Sequence, residues 1–146
     1  MLQVAQFLAT LCCTVFAGAA VYINLVEHPA RMGCDTKLAA TVWAPSYKLA
    51  TLMQASLAIV SVITGSAAWM LGGGIGWLVG AVLIGLVVPF TFIVIMPTNN
   101  RLLEPGRDLS SDDTRLLLVK WGRLHAVRSG LSMVASVVYL GSLFGI

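Results

Sequence analysis

Charged side chains are scarce in this chain, and three long stretches have none. Only 10% of the 146 residues are charged, whereas a soluble domain carries about a quarter. All nine Lys/Arg, all six Asp/Glu and both His lie within residues 27–48 and 101–128. This scarcity excludes an ordinary soluble domain. The net charge of +3 is accounted for by these two windows and gives no reason to expect a nucleic-acid partner.

Cysteine and histidine are also few. The three cysteines have no CxxC spacing, so we expect neither a disulfide nor a zinc site. The two histidines lie on different segments without the Glu-x-x-His pattern of a di-iron bundle, and we expect no metal and no other cofactor. A metal held by His28 and His125 with Glu27 or Glu104 stays an alternative.

The uncharged stretches are apolar and have membrane-spanning length. A bilayer core needs roughly 20 apolar residues per helix. Residues 4–26 supply one span, 49–96 supply two that are divided by a glycine run, and 129–146 supply the end of a fourth. The sequence therefore predicts an all-α protein, a four-helix transmembrane bundle in which residues 1–146 form a single membrane-embedded domain.

The basic residues predict the orientation of this bundle. With four spans, both charged windows lie on one side of the membrane, and the other side has no Lys or Arg. The positive-inside rule places the windows in the cytoplasm and both termini outside. The first span lacks a basic leading segment, so we interpret it as a retained helix and not as a signal peptide.

Prolines and polar segments predict the helix boundaries. Pro29 is expected to kink or end the first helix, and residues 33–45 to form a connector. The second helix is then predicted over 46–71 and the third over 75–96, with Pro97 marking its end. The fourth is predicted to run from about Asp112 to the C-terminus.

Tryptophans flank the glycine run between the second and third helices. Trp69 and Trp77 are predicted to belong to an aromatic belt at the outer membrane interface, because indole rings favour the headgroup level.

Two helical faces combine a histidine with an arginine three residues later. Asn24, Glu27, His28 and Arg31 fall within an arc of about 100° at the end of the first helix. Ionisable groups at membrane depth usually face a bundle interior or a wet cavity. An interfacial cap, in which Glu27 pairs with Arg31 while His28 is solvated, stays an alternative.

The second such face lies on the fourth helix. Trp121, His125 and Arg128 fall within an arc of about 60°, at a depth similar to that of the first face. We expect the two faces to converge on one pocket beneath the headgroups. An interfacial belt of these residues is the alternative.

Aromatic and amide side chains lie near both faces. Trp43 and Tyr47 are interpreted either as an aromatic belt or as a stacking wall of the pocket. Asn99 and Asn100 are expected either to hydrogen-bond across the mouth of the pocket or to cap the third helix.

Taken in order, these motifs resemble the anthrone oxygenase-like family of small four-helix membrane proteins. The resemblance is carried by Asn24…Glu27-His28-Pro29-Ala30-Arg31, Trp43…Tyr47, Pro97-Thr98-Asn99-Asn100…Leu103 and Trp121…His125…Arg128. It covers nearly the whole chain. It implies oxidation of an anthrone to an anthraquinone by molecular oxygen, without a cofactor.

On this hypothesis, the protein removes an acidic C–H proton and holds the resulting anion. His125 is the favoured base, and His28 is the alternative base or a proton relay. Arg31 and Arg128 hold the oxyanion. The remaining residues bind the flat substrate or orient these groups: Glu27, Asn24, Trp43, Tyr47, Trp121, Asn99 and Asn100.

A non-catalytic function is the competing hypothesis. A small integral membrane protein that binds a lipid or quinone, or that serves as an accessory subunit of a larger complex, would have the same composition. The expected partners are therefore the bilayer and a lipophilic small molecule, while a homo-oligomer or a membrane-complex partner stays open.

Overall fold

The computed structural model describes residues 1–145 and consists of four long helices. They are α1 (Leu2–Met32), α2 (Thr36–Gly73), α3 (Ile75–Leu102) and α4 (Asp112–Phe144), and each is long and apolar enough to cross a membrane. Residues 1–145 contain no β-strand. The prediction of an all-α bundle with four spanning helices is confirmed.

The helices pack as a ring in chain order. α1 lies between α2 and α4, and α3 lies between the same two neighbours on the opposite side, with little contact across the diagonals. Between α2 and α3 the chain reverses in a tight turn. Gly72 and Gly74 both have φ of 90°, a conformation that only glycine adopts without steric cost.

Three of the predicted helix boundaries are wrong. Helix α1 continues past Pro29 to Met32, and α3 continues past Pro97 to Leu102. In each case a π-helical turn precedes the proline, at Ile23–Glu27 and at Thr91–Ile95. The proline then lies in the first turn of a renewed α-helical section. Proline has no N–H to donate, and it follows directly on the residue whose N–H closes the π-helical turn, His28 to the Ile23 carbonyl and Met96 to the Thr91 carbonyl.

The predicted connector over 33–45 is the third correction. Helix α2 begins at Thr36, ten residues earlier than expected, and Pro45 lies inside it. The start is defined by Asp35, whose carboxylate accepts a hydrogen bond from the Leu38 N–H at 2.9 Å. Such a side-chain cap satisfies an amide that the helix itself leaves free.

The start of α4 is confirmed. The Ser111 hydroxyl accepts a hydrogen bond from the Thr114 N–H at 3.2 Å, and the acidic Asp112 and Asp113 occupy the first turn. In the preceding loop, the Arg107 guanidinium donates to the Asp113 carboxylate at 2.8 Å. This hydrogen bond raises the pKa of Arg107 above its ordinary value and ties the loop to the helix.

Trp77 does not belong to an interfacial belt, contrary to the prediction. It is fully buried and stacks on Tyr139, with ring centroids 5.2 Å apart. Tyr139 in turn lies against Gly65 of α2 and Gly80 of α3, where a side chain would overlap its ring. Helices α2, α3 and α4 approach closely at this point because two of them present glycine.

This contact predicts a difference between two glycines of the same helix. A Cβ at Gly80 would lie 2.6 Å from Tyr139 Cδ1, whereas one at Gly85 would lie 3.6 Å from Val62 Cγ2, an ordinary contact. We expect Gly80→Ala to destabilise the protein by roughly 1–3 kcal/mol through overpacking. Gly85→Ala, the control, should match or exceed the wild-type melting temperature. Equal thermal stability of the two variants in detergent would contradict this packing.

Candidate functional site

Polar side chains form a layer between two hydrophobic clusters of the bundle. One cluster includes Phe16, Ile84 and Tyr139, and the other includes Ile23, Trp43 and Leu118. On α4, and at Gln54 of α2, the polar residues lie between the two clusters in sequence, whereas those of α1 follow Ile23. Together these residues are called the polar layer. Its members are Asn24, His28, Arg31, Ser46, Gln54, His125, Arg128 and Ser129.

The Asn24 carboxamide connects α1 to α4 through three hydrogen bonds. Its Nδ2 donates to the Gly122 carbonyl at 3.0 Å. Its Oδ1 accepts from the Ser129 hydroxyl at 2.6 Å and lies 2.8 Å from His125 Nδ1. The π-helical turn that starts at Ile23 places Asn24 at the widened part of α1, as is frequent at functional sites.

These bonds determine which nitrogen of His125 carries the proton. A backbone carbonyl only accepts hydrogen bonds, so the atom of Asn24 that faces Gly122 must be the amide nitrogen. The atom that faces His125 is then the amide oxygen, and Nδ1 must donate to it. In a neutral imidazole, Nε2 is therefore left with a free lone pair. Among residues 1–145, the His125 ring makes its hydrogen bond through Nδ1.

Arg128 is a buried cation that no carboxylate neutralises. Its side chain donates to the Gln54 Oε1 at 2.8 Å and lies over the Phe16 ring at 5.7 Å. Within the described chain, every ion pair of an arginine involves Arg31, Arg101 or Arg107. Because an unpaired buried charge is costly, the site favours an anionic ligand beside Arg128.

Arg31, by contrast, is already paired. It forms an ion pair with Glu27 one turn earlier on α1, and it donates to the Ser46 hydroxyl at 3.2 Å. Ser46 donates to the same carboxylate. Glu27 therefore balances Arg31, which was one of its two predicted roles, and makes no hydrogen bond to His28 among the described residues.

Aromatic rings pack on one side of the two histidines. Trp121 contacts both imidazoles, with ring centroids 5.2 Å from His28 and 4.9 Å from His125. Trp43 meets Trp121 edge to face at 5.8 Å and stacks on Tyr47 at 5.1 Å. The predicted aromatic residues therefore form one cluster, of which Trp43 is fully buried.

His28 of α1 packs directly against α4. Its imidazole lies against Gly122, where an added side chain would collide with the ring, and its buried Nδ1 has no partner among residues 1–145. The structure brings both histidines against the same indole, that of Trp121, so the two helical faces meet there. Only His125 lines the cavity described next.

A small cavity lies at the centre of the polar layer. It has room for about one water molecule, with a volume of about 10 Å³. Arg31, Tyr47, Trp121, His125 and Arg128 line it, and all five were predicted as site residues. The imidazole of His125 and the guanidinium of Arg128, which has no carboxylate partner, therefore line the same small space.

Two predicted site residues lie elsewhere. The Asn100 side chain is exposed, and Asn99 is fully buried with neither amide atom paired among the described residues. Neither lines the cavity, and the structure gives no hydrogen bond for either of the roles predicted for them.

Three contributors were not predicted from the sequence. One is Ser46, which lies between Arg31 and Glu27 and lines the cavity. Gln54 orients Arg128 and is the one amide residue between positions 49 and 98. An isolated amide in an apolar span was a signal, because such a group is costly unless it has a partner. Ser129, which donates to Asn24, has no comparable signal in the sequence.

The described residues contain no cluster of three His, Cys, Asp or Glu side chains that is suited to holding a metal ion. The side chains that line the cavity include one imidazole, two guanidiniums, hydroxyl groups and one amide, but no carboxylate or thiol, and guanidiniums repel cations. The set of side chains therefore suits an anion better than a metal.

The assigned tautomer predicts a spectroscopic signature. In ¹⁵N-histidine NMR at neutral pH, we expect His125 to appear as the neutral Nδ1–H form, and we expect Asn24→Ala to convert it to a mixture of tautomers. His28→Gln assigns the signals by removing the other histidine. An Nε2–H tautomer at position 125 in the wild type would contradict the hydrogen-bond pattern.

Comparisons with known proteins agree with this arrangement. The family model described as anthrone oxygenase matches residues 43–138, well over half of the chain. The anthrone oxygenase tpcL of Aspergillus fumigatus is 29% identical over 147 residues, which covers 94% of this chain and 91% of that protein. No solved structure matches the chain. The chain belongs to the anthrone oxygenase family.

Proposed function

We propose that this protein oxidises a lipophilic, anthrone-like aromatic with molecular oxygen in the membrane. Membership of the anthrone oxygenase family suggests an oxygenase-type function. One structural observation supports the substrate class: Arg128, which has no carboxylate partner, and His125, whose Nδ1 is held by Asn24, line the same small polar cavity. A base next to an uncompensated cation suits a weak carbon acid whose anion carries its charge on oxygen.

The first step is a proton transfer. An anthrone has a CH₂ group opposite its carbonyl, and loss of one proton gives an anion whose charge is delocalised onto the carbonyl oxygen. His125 Nε2 takes this proton, while Asn24 holds the opposite side of the ring through Nδ1–H. The imidazolium that forms donates both N–H groups, so the hydrogen bond to Asn24 is retained throughout the transfer.

Arg128 stabilises the anion. Its guanidinium is held by Gln54 before the substrate binds, so little reorganisation is needed as charge develops on the substrate oxygen. Arg31 also lines the cavity, but Glu27 offsets its charge. We therefore assign the anion to Arg128 and a supporting, wall-forming role to Arg31.

The second step consumes oxygen. The carbanion transfers electrons to O₂ and forms a C–O bond, and the proton held by His125 passes to the distal oxygen to give a hydroperoxide. Loss of the remaining C–H proton then forms the second carbonyl as the O–O bond breaks. The hydroxide released by this cleavage combines with the proton to give water. One oxygen atom enters the quinone and the other leaves as water. The electrons come from the substrate, so the proposed reaction balances without a cofactor.

Trp121, Trp43 and Tyr47 suit the binding of flat rings. Their cluster borders the cavity through Trp121 and Tyr47, and aromatic side chains pack well on a polycyclic substrate. His28 also packs against Trp121. We propose that it supports the position of this ring and does not act as the base, because it does not line the cavity.

Oxygen uptake with anthrone tests the proposal. We expect the wild type in lipid nanodiscs to accelerate uptake, and His125→Gln to lose roughly 10²–10⁴-fold in rate, the usual contribution of a general base. Arg128→Gln should lose roughly 10²–10³-fold, as for removal of an oxyanion donor. Arg123→Gln, an exposed arginine on the same helix, is the matched control and should retain full activity.

The same assay includes the contrary outcomes. Uptake no faster with the wild type than with empty nanodiscs would contradict the proposed reaction, and equal losses in Arg123→Gln and Arg128→Gln would contradict the role of Arg128. Dialysis against a chelator should leave the rate unchanged. A rate that falls with the removal of stoichiometric iron or copper would contradict the cofactor-free step.

A further inference from the structure

An apolar groove adjoins the polar cavity between α2 and α3. It has a volume of about 100 Å³ and shares four lining residues with the cavity: Tyr47, Thr51, Gln54 and Arg128. The rest of its lining is mainly apolar and includes Ala55, Ala58, Val88 and Phe92. The groove is therefore continuous with the proposed site, and the unpaired guanidinium lies at their junction.

The mouth of the groove faces the outside of the bundle at a depth where lipid is expected. Ala55 on α2 is exposed, and on α3 Phe92 and Val88 are 64% and 40% exposed. No charged residue occurs between positions 49 and 100, so the outer surface of α2 and α3 around the groove is suited to hydrocarbon. A molecule that enters here comes from the membrane and not from water.

The two spaces differ in what they can hold. The polar cavity has room for about one water molecule, so a fused-ring molecule cannot lie within it. The groove is about ten times larger and apolar. A flat aromatic therefore fits only with its rings in the groove and one polar edge directed at Arg128 and His125.

We infer that the groove between α2 and α3 is the lateral access path and the ring-binding subsite for a flat, lipophilic aromatic that partitions into the bilayer. This inference rests on the proposed function, because Arg128 and His125 then meet the reacting edge of the bound molecule. Charge complementarity indicates which edge of the molecule points inward. The only cation in the lining of the groove is Arg128 at its inner end, so the edge that carries negative charge is expected there.

The local structure of α3 provides a wall for such a path. Thr91 and Phe92 belong to the π-helical turn at Thr91–Ile95, and Pro89 and Pro97 flank it. The widened turn shifts the side chains that follow relative to a regular helix. On the other side of the groove, α2 presents the small side chains of Ala55 and Ala58. The space between the two helices therefore stays open.

Filling the groove tests the inference. Anthraquinone, which the proposed reaction does not oxidise further, serves as the probe, and quenching of intrinsic tryptophan fluorescence in nanodiscs reports its binding after subtraction of empty nanodiscs. We expect Ala55→Phe to weaken saturable binding about tenfold or more, a penalty of about 1.4 kcal/mol. Ile59→Phe, one turn away on the lipid-facing side of α2 and outside the groove, should bind as the wild type does.

Val88→Phe fills the groove from α3 and provides a second test should Ala55→Phe fail to fold. Melting temperatures identify the folded variants. In oxygen uptake with anthrone, groove variants should raise KM with little change in kcat, whereas His125→Gln should lower kcat and retain anthraquinone binding. A rise in KM alone indicates a blocked access path, whereas a general structural defect would also lower kcat.

The outcomes distinguish the inference from the proposed function. If the wild type binds anthraquinone saturably and Ala55→Phe prevents it, yet no oxygen is consumed, the groove stands and the proposed function fails. If the wild type oxidises anthrone while folded Ala55→Phe and Val88→Phe bind and react as it does, the groove inference alone is overturned. Absence of saturable anthraquinone binding to the wild type would also overturn it.

Discussion

The Asn24 carboxamide is the contact on which the site depends. It joins α1 to α4 through Gly122, His125 and Ser129, three hydrogen bonds that link these two helices at the candidate site. Because one amide satisfies a backbone carbonyl and two side chains, its orientation cannot reverse without loss of hydrogen bonds in a region where water cannot replace them. The same orientation leaves the Nε2 of His125 free on the cavity side, so bundle assembly and the proposed chemistry rest on one side chain.

Charge balance within the layer assigns different roles to two similar arginines. Arg31 has Glu27 and Ser46 as partners, and its charge is largely satisfied within the protein. Arg128 has only the Gln54 amide and an aromatic face, so its charge is available to a bound anion. The proposed function and the access groove both follow from this difference, because the uncompensated guanidinium borders the polar cavity and the apolar groove alike.

Much of the architecture could be predicted from where charge is missing, since uncharged apolar stretches of spanning length require helices in lipid. The paired His and Arg on α1 and α4 also predicted convergence, because helical periodicity places them on single faces. The boundaries at Pro29 and Pro97 were missed because a π-helical turn precedes each proline and accommodates it, which no local residue pattern indicates. Pro45 has no such turn before it and lies inside α2, whose early start is defined by the Asp35 cap. The position of Trp77 depends on Tyr139 from a distant helix. The bridging role of Asn24 and the partnership of Gln54 with Arg128 likewise arise from tertiary contacts that one sequence does not reveal.

The central claim is that this site ionises a carbon acid and holds its anion before oxygen reacts. Anaerobic titration of the nanodisc-embedded protein with anthrone isolates this step, because no turnover follows and the conjugate anion absorbs at longer wavelength than the keto form. We expect the anion band to appear with the wild type, to saturate at one equivalent per protein, and to be absent with His125→Gln. Binding of anthrone only in its neutral keto form, in a wild-type protein that still consumes oxygen when air is admitted, would contradict the claim.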